Sequence, residues 1–360
     1  MLECKILTTE SEIEALAADW RELYACIGRS PFSGYDIFFI WWNAIGKPDA
    51  RRSLHVVAGY EDGKLAGVLP LTVLRHKGMR IMQAAGYQAY NYCDMLAKDP
   101  AQAAALWQAA RQSPHYDFAD IRDVYPESNG YEALSSFARR RDLSNAYALN
   151  LEWPTGEDWL ASKSRHTRSN FKRCVRRLEE KGALRFETCL TKPLPVDLID
   201  DMVKRKIGWS IERNKRGLFQ KPGVLDYQRQ LLDIAAEQGT LFLSWLRCGN
   251  HVIAYNQGFL HHGVVHSILL THDPEWNPCS PGKVIQTYTV FWAIEHGMRS
   301  LDFRQGESQF KQIYANEKRQ CAEFTFNGSL RGRIAENAYM GTRGIMRLMR
   351  GDPDHAAEED

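Results

Sequence analysis

The chain has 360 residues, of which 44% are hydrophobic and 25% are charged, and its formal net charge is +2. This length and composition predict a soluble globular protein of about two domains, and the near-neutral charge disfavours a general nucleic-acid binder. No apolar stretch approaches the ~18 residues of a membrane-spanning helix, and the polar N-terminus lacks a signal-peptide core. The eight cysteines include no Cys-x-x-Cys pair, which disfavours a metal site and favours reduced thiols in a cytoplasmic protein.

The first 150 residues predict an α/β unit. Apolar side chains at helical spacing predict helices over 10–26 and 35–45. Alternating stretches separated by short turns with glycine then predict a three-stranded meander over 54–60, 65–74 and 79–85. After a loop rich in tyrosine, the predicted elements are helix 101–112, strand 118–124, helix 131–141 and strand 147–152.

A basic helical segment follows and is predicted to be an insertion over about 157–237. Between residues 163 and 181 there are eight Lys or Arg against two Glu, on a helix predicted over 159–181. A second helix is predicted over 197–213, with Trp209 near its end. The positive excess suggests an anionic partner such as a nucleotide, an acidic glycan or a membrane surface, although a solvated face of long side chains is the commoner outcome.

The second half repeats the plan of the first. Strands are predicted over 241–247, 251–260 and 264–270, and a helix and a strand over 301–304 follow them. Residues 63–71 align loosely with residues 249–257, which indicates an internal duplication of one α/β unit. The helix opening described next is absent from the first copy, so the functional site is expected in the second.

The segment Ser280-Pro281-Gly282-Lys283 opens a helix directly after a strand and a loop. Ser280 is a good N-cap, and Pro281 suits the first helical position because its missing N–H would have no partner there. Gly282 lets an anion approach the backbone N–H groups of the first turn, and Lys283 adds a positive charge. This helix start is therefore a predicted phosphate-binding site, although helix capping alone would also account for Ser280-Pro281-Gly282.

The last part of the chain contains a strand predicted over 321–326 and a basic amphipathic helix over 330–349. This helix is expected to dock on the body of the protein, contact a membrane surface or bind an anionic regulator such as a cyclic dinucleotide. The acidic end, residues 352–360, is predicted to be disordered.

Several of these features together resemble a known group of enzymes. They are Pro31-Phe32, Trp41-Trp42, Leu69-Pro70-Leu71, the basic helix from Arg165, Ser280-Pro281-Gly282 and the run Asp302-Phe303-Arg304-Gln305-Gly306-Glu307 with Lys311. In this order they resemble acyltransferases of the CelD/BcsL type, which belong to the GNAT superfamily and are related to the FemABX aminoacyl transferases. The usual ending of that group is Asp-Phe-x-Arg-Gly-Asp-x-x-Tyr-Lys. Here one more residue precedes Gly306, Glu307 replaces the Asp, and Phe310 replaces the Tyr.

The resemblance implies an α/β (α+β) fold of tandem GNAT-like domains, each a mixed, largely antiparallel sheet flanked by helices. The expected domains are a degenerate copy over 1–150, an acyltransferase copy over 151–328 and the tail over 329–360. The implied activity is N-acyl transfer, from acetyl-CoA or another acyl-CoA, to an amino group. The implied acceptor is a sugar, or a nucleotide-linked or lipid-linked sugar, in bacterial exopolysaccharide synthesis, in the cytoplasm or at the inner membrane face.

The resemblance also implies roles for individual residues. Glu307 is the expected base, with Asp302 as the alternative; Lys311 would stabilise negative charge, and Tyr314 would reprotonate the thiolate. The residues expected to bind the coenzyme are Leu269, Leu270, Ser280, Pro281, Gly282 and Lys283. Those expected to bind the acceptor are Arg165, Arg168, Lys172, Trp209 and Arg304. A structural Asp302–Arg304 ion pair and a core role for Tyr314 are the plainer alternatives.

Two other functions remain open at this point. A FemABX-like enzyme would take an amino acid from aminoacyl-tRNA and would use the basic helices as the tRNA surface. A regulatory module without catalytic activity would instead bind a cyclic dinucleotide through the basic tail.

Overall fold

The computed structural model describes residues 2–350 except 88, 91, 93 and 216, and the predicted acidic tail over 352–360 lies outside these residues. The chain forms two compact units. The first unit contains the chain up to Asn145 and resumes at Arg319, and the second unit spans Ala146–Lys318. The chain therefore passes from the first unit to the second at Ala146 and returns to the first at Arg319.

The helices are α1 (Glu10–Ala15), α2 (Ala17–Ile27), α3 (Tyr35–Trp41), α4 (Pro100–Gln112), α5 (Asn129–Phe137), α6 (Gly156–Ala161), α7 (Arg165–Glu179), α8 (Val196–Glu212), α9 (Val224–Glu237), α10 (Pro281–Glu295), α11 (Gln309–Tyr314) and α12 (Leu330–Arg350). The strands are β1 (Glu3–Leu7), β2 (Arg52–Glu61), β3 (Lys64–His76), β4 (Met79–Ala84), β5 (Phe118–Val124), β6 (Arg139–Asn150), β7 (Leu184–Cys189), β8 (Leu241–Cys248), β9 (His251–His261), β10 (Val264–His272), β11 (Ser300–Gln305) and β12 (Glu317–Asn327).

The first unit contains the strand order β1-β2-β3-β4-β5-β12. Its strands pair in antiparallel fashion except β4 and β5, which run parallel. Helices α4 and α5 cover one side, where Leu106 and Trp107 belong to the buried apolar cluster of this unit. The burial of this cluster, rather than helix propensity, is the main source of the unit's stability.

The second unit contains the strand order β6-β11-β10-β9-β8-β7, in which β10 and β11 are the parallel neighbours. Asn256 on β9 donates to Thr289 on α10 at 3.1 Å, whereas the adjacent Tyr255 donates to Asp201 on α8 at 2.6 Å. Because successive strand residues point to opposite faces, α10 and α8 cover opposite faces of this sheet.

The two units share one plan. In each, a three-stranded antiparallel meander leads through a helix to a strand that pairs in parallel with the last meander strand: β2-β3-β4-α4-β5 in the first and β8-β9-β10-α10-β11 in the second. The parallel strand carries Asp120-Ile121-Arg122 in one unit and Asp302-Phe303-Arg304 in the other. The predicted fold class, a mixed and largely antiparallel sheet flanked by helices, is confirmed.

Some elements differ from the predicted ones. The helix predicted over 159–181 is two helices, because Ser164 caps a new start at α7 with its side chain on the Thr167 N–H. The helix predicted over 131–141 ends at Phe137, and the basic residues after it begin β6. The segment 157–237 also supplies β7, which pairs with β8 as an edge of the sheet, and α9.

Candidate active site

Strands β10 and β11 stay paired only over their first residues. The parallel pairs are Val264–Ser300, Val265–Leu301 and His266–Asp302, and β10 then continues along β9 alone up to His272. The edge of β10 that faces β11 is therefore not paired with that strand from Ser267 onward. A strand edge that has parted from its neighbour is a place where an extended ligand can add to a sheet.

Irregular backbone geometry in both strands accompanies this divergence. The register of β10 against β9 shifts between Ser267 and Leu269, and that of β11 against β6 shifts between Asp302 and Arg304. Arg304 has a left-handed φ of 64°, and its N–H donates to Asp302 Oδ1 at 2.7 Å. The Asp302 carboxylate thus braces a strained turn that redirects β11.

The helix start at α10 differs in detail from the prediction. Ser280 takes a left-handed conformation (φ 50°, ψ 56°), and its side chain makes no capping hydrogen bond. Its carbonyl instead accepts from the N–H groups of Lys283 and Val284 at 3.1 and 3.3 Å. Ser280 is the N-cap residue of α10 as predicted, but its side chain does not cap, because the left-handed backbone after the 3-10 helix Pro274–Cys279 differs from the extended conformation of a capping residue.

The surroundings of Gly282 suit an anion. A Cβ at this position would lie 3.4 Å from His272 Nδ1 and 4.0 Å from a Leu270 methyl group, so the glycine lies against the end of β10. Lys206 Nζ donates to the Leu270 carbonyl at 3.2 Å. Burial lowers the pKa of His272, and the nearby Lys206 adds to this effect while Asn277 opposes it.

Trp209 was predicted to hold the acceptor, but the structure places it in this cationic region. Lys206 Nζ lies 4.0 Å from the centre of its ring, and the Arg213 guanidinium lies at 5.4 Å. Both cations are on or beside α8, which packs against β10. Lys206 therefore contacts both Trp209 and the open strand end.

A pocket of about 90 Å³ lies beside the start of α10. Its lining comes from α7, α10 and α11 and comprises His166, Thr167, Asn170, Phe171, Cys174, Lys283, Val284, Gln309, Phe310, Ile313 and Tyr314. Of the predicted site residues, Lys283 and Tyr314 belong to it. Arg177 on α7 donates to the Pro278 carbonyl at 3.2 Å and so ties this helix to the loop before α10.

Tyr314 is buried, and its hydroxyl lies 2.8 Å from Thr287 Oγ1 on α10. Burial raises the pKa of this phenol, so it is a proton donor rather than an anion near neutral pH. Trp159 packs edge-on against its ring at 5.1 Å. Tyr314 is thus a core residue that also lines the pocket.

Lys311 is only 7% exposed, and its ammonium donates to the Gln305 carbonyl at 2.7 Å. A Cβ at Gly306, whose φ is 104°, would lie 3.4 Å from Lys311 Nζ. The ammonium therefore holds the loop between β11 and α11, and this contact favours a positioning role.

Glu307 lies in the same loop, where its Oε2 accepts from Tyr147 Oη at 2.6 Å and from Gln312 Nε2 at 2.9 Å. Burial and the adjacent carboxylate together raise the pKa of Tyr147 to about 12. Tyr147 belongs to the apolar cluster that packs against α10. Glu307 is therefore on the α10 side of the sheet.

Asp302 is buried, and its Oδ2 lies 3.2 Å from His266 Nδ1. Burial alone would raise the pKa of Asp302, but the contacts with His266 and with the Arg304 N–H hold it below its usual value. Arg304, predicted to bind the acceptor, is 5% exposed and lies close enough to Tyr227 on α9 to oppose the rise that burial causes in that tyrosine's pKa. Such deep burial makes it part of the interior of the unit.

The predicted acceptor residues on α7 fall into two groups. Arg168 donates to the carbonyls of Ala161 and Lys163 at 2.9 and 2.6 Å, so it caps the end of α6. Arg165 and Lys172 are exposed, and neither lines the pocket. The structure therefore does not bring Arg168 together with the other two as one anion site.

Three parts of the site have no signal in the sequence: His266, Lys206 and the pocket residues on α7 such as His166. His266 lies in a strand, and a polar residue of a strand is ordinarily expected to face solvent. Lys206 lies in a helix of ordinary amphipathic pattern. Pairing of distant segments brings these residues to the site, and a single sequence carries no signal for that pairing.

Within the described ranges of the chain, no group of three or more His, Cys, Asp or Glu is placed to hold a metal ion. The helices in those ranges also include none with the length and apolar character needed to cross a membrane.

Residues 165–312 match the sequence profile of a family described as the acetyltransferase (GNAT) domain. This match runs from α7 into α11 and includes the divergent strands, the start of α10 and the pocket residues up to Phe310. No curated protein matches the chain in sequence.

Several solved structures share the fold of nearly the whole chain. FemX aligns with a TM-score of 0.58 at 11% identity over 90% of this chain and 97% of its own. L-PGS from Bacillus licheniformis aligns with a TM-score of 0.57 at 12% identity over 94% and 97%. A tandem GNAT protein from the clavulanic acid biosynthesis pathway aligns with a TM-score of 0.52 at 11% identity over 91% and 99%. The chain thus carries an acetyltransferase (GNAT) domain over residues 165–312 and is an acyltransferase.

Proposed function

We propose that the protein is an N-acyltransferase that takes an acetyl group, or a related acyl group, from acyl-coenzyme A. The observation that carries this proposal is the end of parallel pairing at His266–Asp302, combined with the start of α10, where the surroundings suit an anion. An extended thioester arm needs an open strand edge, and the diphosphate at its other end needs N–H donors and cations.

The residues present fit such a donor. The backbone of Leu269 and Leu270 lies on the open edge of β10, while the Leu269 side chain is buried in the core. Ser280, Pro281 and Gly282 form a turn without bulky side chains, with Lys283 exposed beside it. Bound there, the coenzyme would supply the activated acyl group, and the chain's own residues would orient it.

For the acceptor we propose the amino group of a sugar carried by a nucleotide or lipid phosphate, as in exopolysaccharide synthesis. The exposed cations Arg165 and Lys172 on α7 support an acceptor that carries phosphate. Tyr314, neutral and hydrogen-bonded to Thr287, is suited to return a proton to the departing thiolate.

Transfer from aminoacyl-tRNA is the second candidate, and the exposed basic residues of α7 are the observation that favours it. A tRNA surface would give affinity that falls steeply with salt concentration. Binding of tRNA with an affinity that falls steeply with salt concentration, without binding of acetyl-CoA, would favour this candidate over the first.

The test is calorimetric titration of the full chain with acetyl-CoA. Gly282→Glu places a carboxylate where a phosphate would bind, and the helix start tolerates acidic residues, so the fold should persist. The control is Gly341→Glu in α12, where an added Cβ meets open space. We expect binding by the wild type and the control, and binding at least about tenfold weaker in Gly282→Glu. Equal binding by all three proteins would contradict the proposed donor site.

A further inference from the structure

His266 and Asp302 form a pair at the point where β10 and β11 diverge. They are the last partners in the parallel register, and the distance from His266 Nδ1 to Asp302 Oδ2 is 3.2 Å. Their side chains are 14% and 7% exposed, so the imidazole is the more accessible of the two groups. The proposed function assigns no role to His266.

The pair lies on the face of the sheet opposite to α10. Ser267 donates to Asn256, which in turn donates to Thr289 on α10, so Ser267 faces that helix. His266, one residue earlier, therefore faces the other side. The pocket, α7 and Glu307 are on the α10 side, so an acceptor whose phosphate is held at Arg165 and Lys172 must pass its amine between the diverging strands to reach His266. An amine approaching from the opposite face would meet His266 first.

The surroundings select one tautomer of His266. Asp302 Oδ1 accepts the Arg304 N–H, which fixes the carboxylate, and Oδ2 faces His266 Nδ1. An ionised carboxylate accepts only, so Nδ1 carries a proton, and in the neutral ring Nε2 is then the nitrogen with the lone pair. Among the described residues, the groups facing the pair include His261 on β9, whose ring centre is 6.5 Å from that of His266, and Arg304 on β11.

We propose that His266 is the general base of the acyl transfer and that Asp302 is its positioning residue; this inference rests on the proposed function. The acceptor nitrogen forms a bond to the thioester carbonyl carbon, and its proton passes to His266 Nε2. The carbon–sulfur bond breaks, and its electron pair leaves on the thiolate. The thiolate takes a proton from Tyr314 or solvent, and His266 releases its proton to solvent.

Glu307 is the rival base, and its geometry is less suited to the role. Its Oε2 already accepts two hydrogen bonds, from Tyr147 and Gln312. Both contacts occupy this oxygen, and they hold the carboxylate on the side of the sheet that α10 covers.

The first test needs no acceptor. In the full chain labelled with ¹⁵N-histidine, the His266 signals are assigned as those missing in His266→Gln, and their shifts report which ring nitrogen carries the proton. We expect Nδ1–H with an unprotonated Nε2 in the wild type and a mixture of tautomers in Asp302→Asn. Protonation of Nε2 alone in the neutral wild-type ring would overturn the proposal.

The second test measures release of the coenzyme A thiol from acetyl-CoA, with glucosamine as the probe amine. We expect His266→Gln to lower kcat about 100-fold or more with the KM for acetyl-CoA within threefold, and imidazole to restore part of the activity of His266→Ala. The exposed-histidine control His251→Gln should retain activity within tenfold, and Glu307→Gln should lose less activity than His266→Gln.

A loss in Glu307→Gln with full activity in His266→Gln would overturn the assignment in favour of Glu307. Calorimetry with acetyl-CoA separates this result from failure of the proposed function. His266→Gln that binds the donor normally but does not turn over supports both proposals. A wild type that does not bind acetyl-CoA contradicts the proposed function, and the tautomer measurement still decides the geometry of the pair.

Discussion

The hydroxyl of Tyr147 on β6 donates to Glu307 Oε2 at 2.6 Å and so fixes the loop that follows β11. A buried hydrogen bond to a charged acceptor contributes about 1.5–3 kcal/mol to stability. We expect a double-mutant cycle of Tyr147→Phe and Glu307→Gln, measured by urea unfolding, to give a coupling energy of about 1–2 kcal/mol. Additive effects of the two substitutions would show that the contact contributes nothing.

Lys206 connects α8 to the open end of β10 through the Leu270 carbonyl. If this end of the strand binds the donor, Lys206→Met removes a cation next to the coenzyme phosphates. We expect acetyl-CoA affinity to fall about 5- to 10-fold by calorimetry, with the loss decreasing at high salt. The matched control is Lys204→Met, an exposed lysine of the same helix. An equal effect of both variants would indicate only a change in net charge.

Gly332 and Gly341 lie in the same helix but in opposite surroundings. A Cβ at Gly332 would lie 1.7 Å from the Asp117 carbonyl oxygen, whereas at Gly341 it would meet open space. We expect Gly332→Ala to lower the free energy of unfolding by about 2–3 kcal/mol, because α12 must move away from the first unit. Gly341→Ala should raise it by about 0.5–1 kcal/mol through helix propensity. If α12 were only loosely attached, the two substitutions would change the free energy of unfolding by similar amounts. Urea unfolding of both variants tests this.

His55 gives the first unit a predictable response to acid. It is 1% exposed, and burial, with a smaller contribution from His115, lowers its pKa from 6.5 to about 4. The unfolded chain therefore binds a proton as the pH falls below 6.5, while the folded protein does so only near 4, and stability is lost across this interval. The loss amounts to about 3 kcal/mol.

The measurement is urea unfolding at pH 7 and pH 4.5 for the wild type and His55→Leu. Other groups contribute to acid sensitivity in both proteins, so the difference between them isolates His55. We expect the wild type to lose more stability than the variant. Equal losses would mean that His55 titrates normally in the folded state.

Much of the fold could be predicted from sequence because its signals are local. The meander of the second unit follows from alternating apolar residues and short turns, and in the His262–Gly263 turn both residues have positive φ, as a two-residue hairpin requires. Edge strands are harder to predict, because their signal is not local. Strand β7 reads Leu-Arg-Phe-Glu-Thr-Cys, a partly exposed strand whose identity depends on pairing with β8.

The candidate site was predicted less completely than the fold. The position of Gly282 at a helix start after a strand was predictable from Pro281 and the apolar periodicity that follows. The left-handed Ser280 was not, because its conformation depends on the preceding 3-10 turn. The pairing of His266 with Asp302 depends on the register between two strands 36 residues apart, which no local pattern specifies.

The most direct test of the central claim is amide hydrogen exchange of the full chain with and without acetyl-CoA. If the second unit binds the donor along the open edge of β10 and at the start of α10, exchange should slow in peptides that cover residues 267–287. The corresponding segment of the first unit, residues 79–87, should be unchanged. Slowing confined to the first unit, or no change at a concentration where calorimetry shows binding, would contradict the location of the donor site.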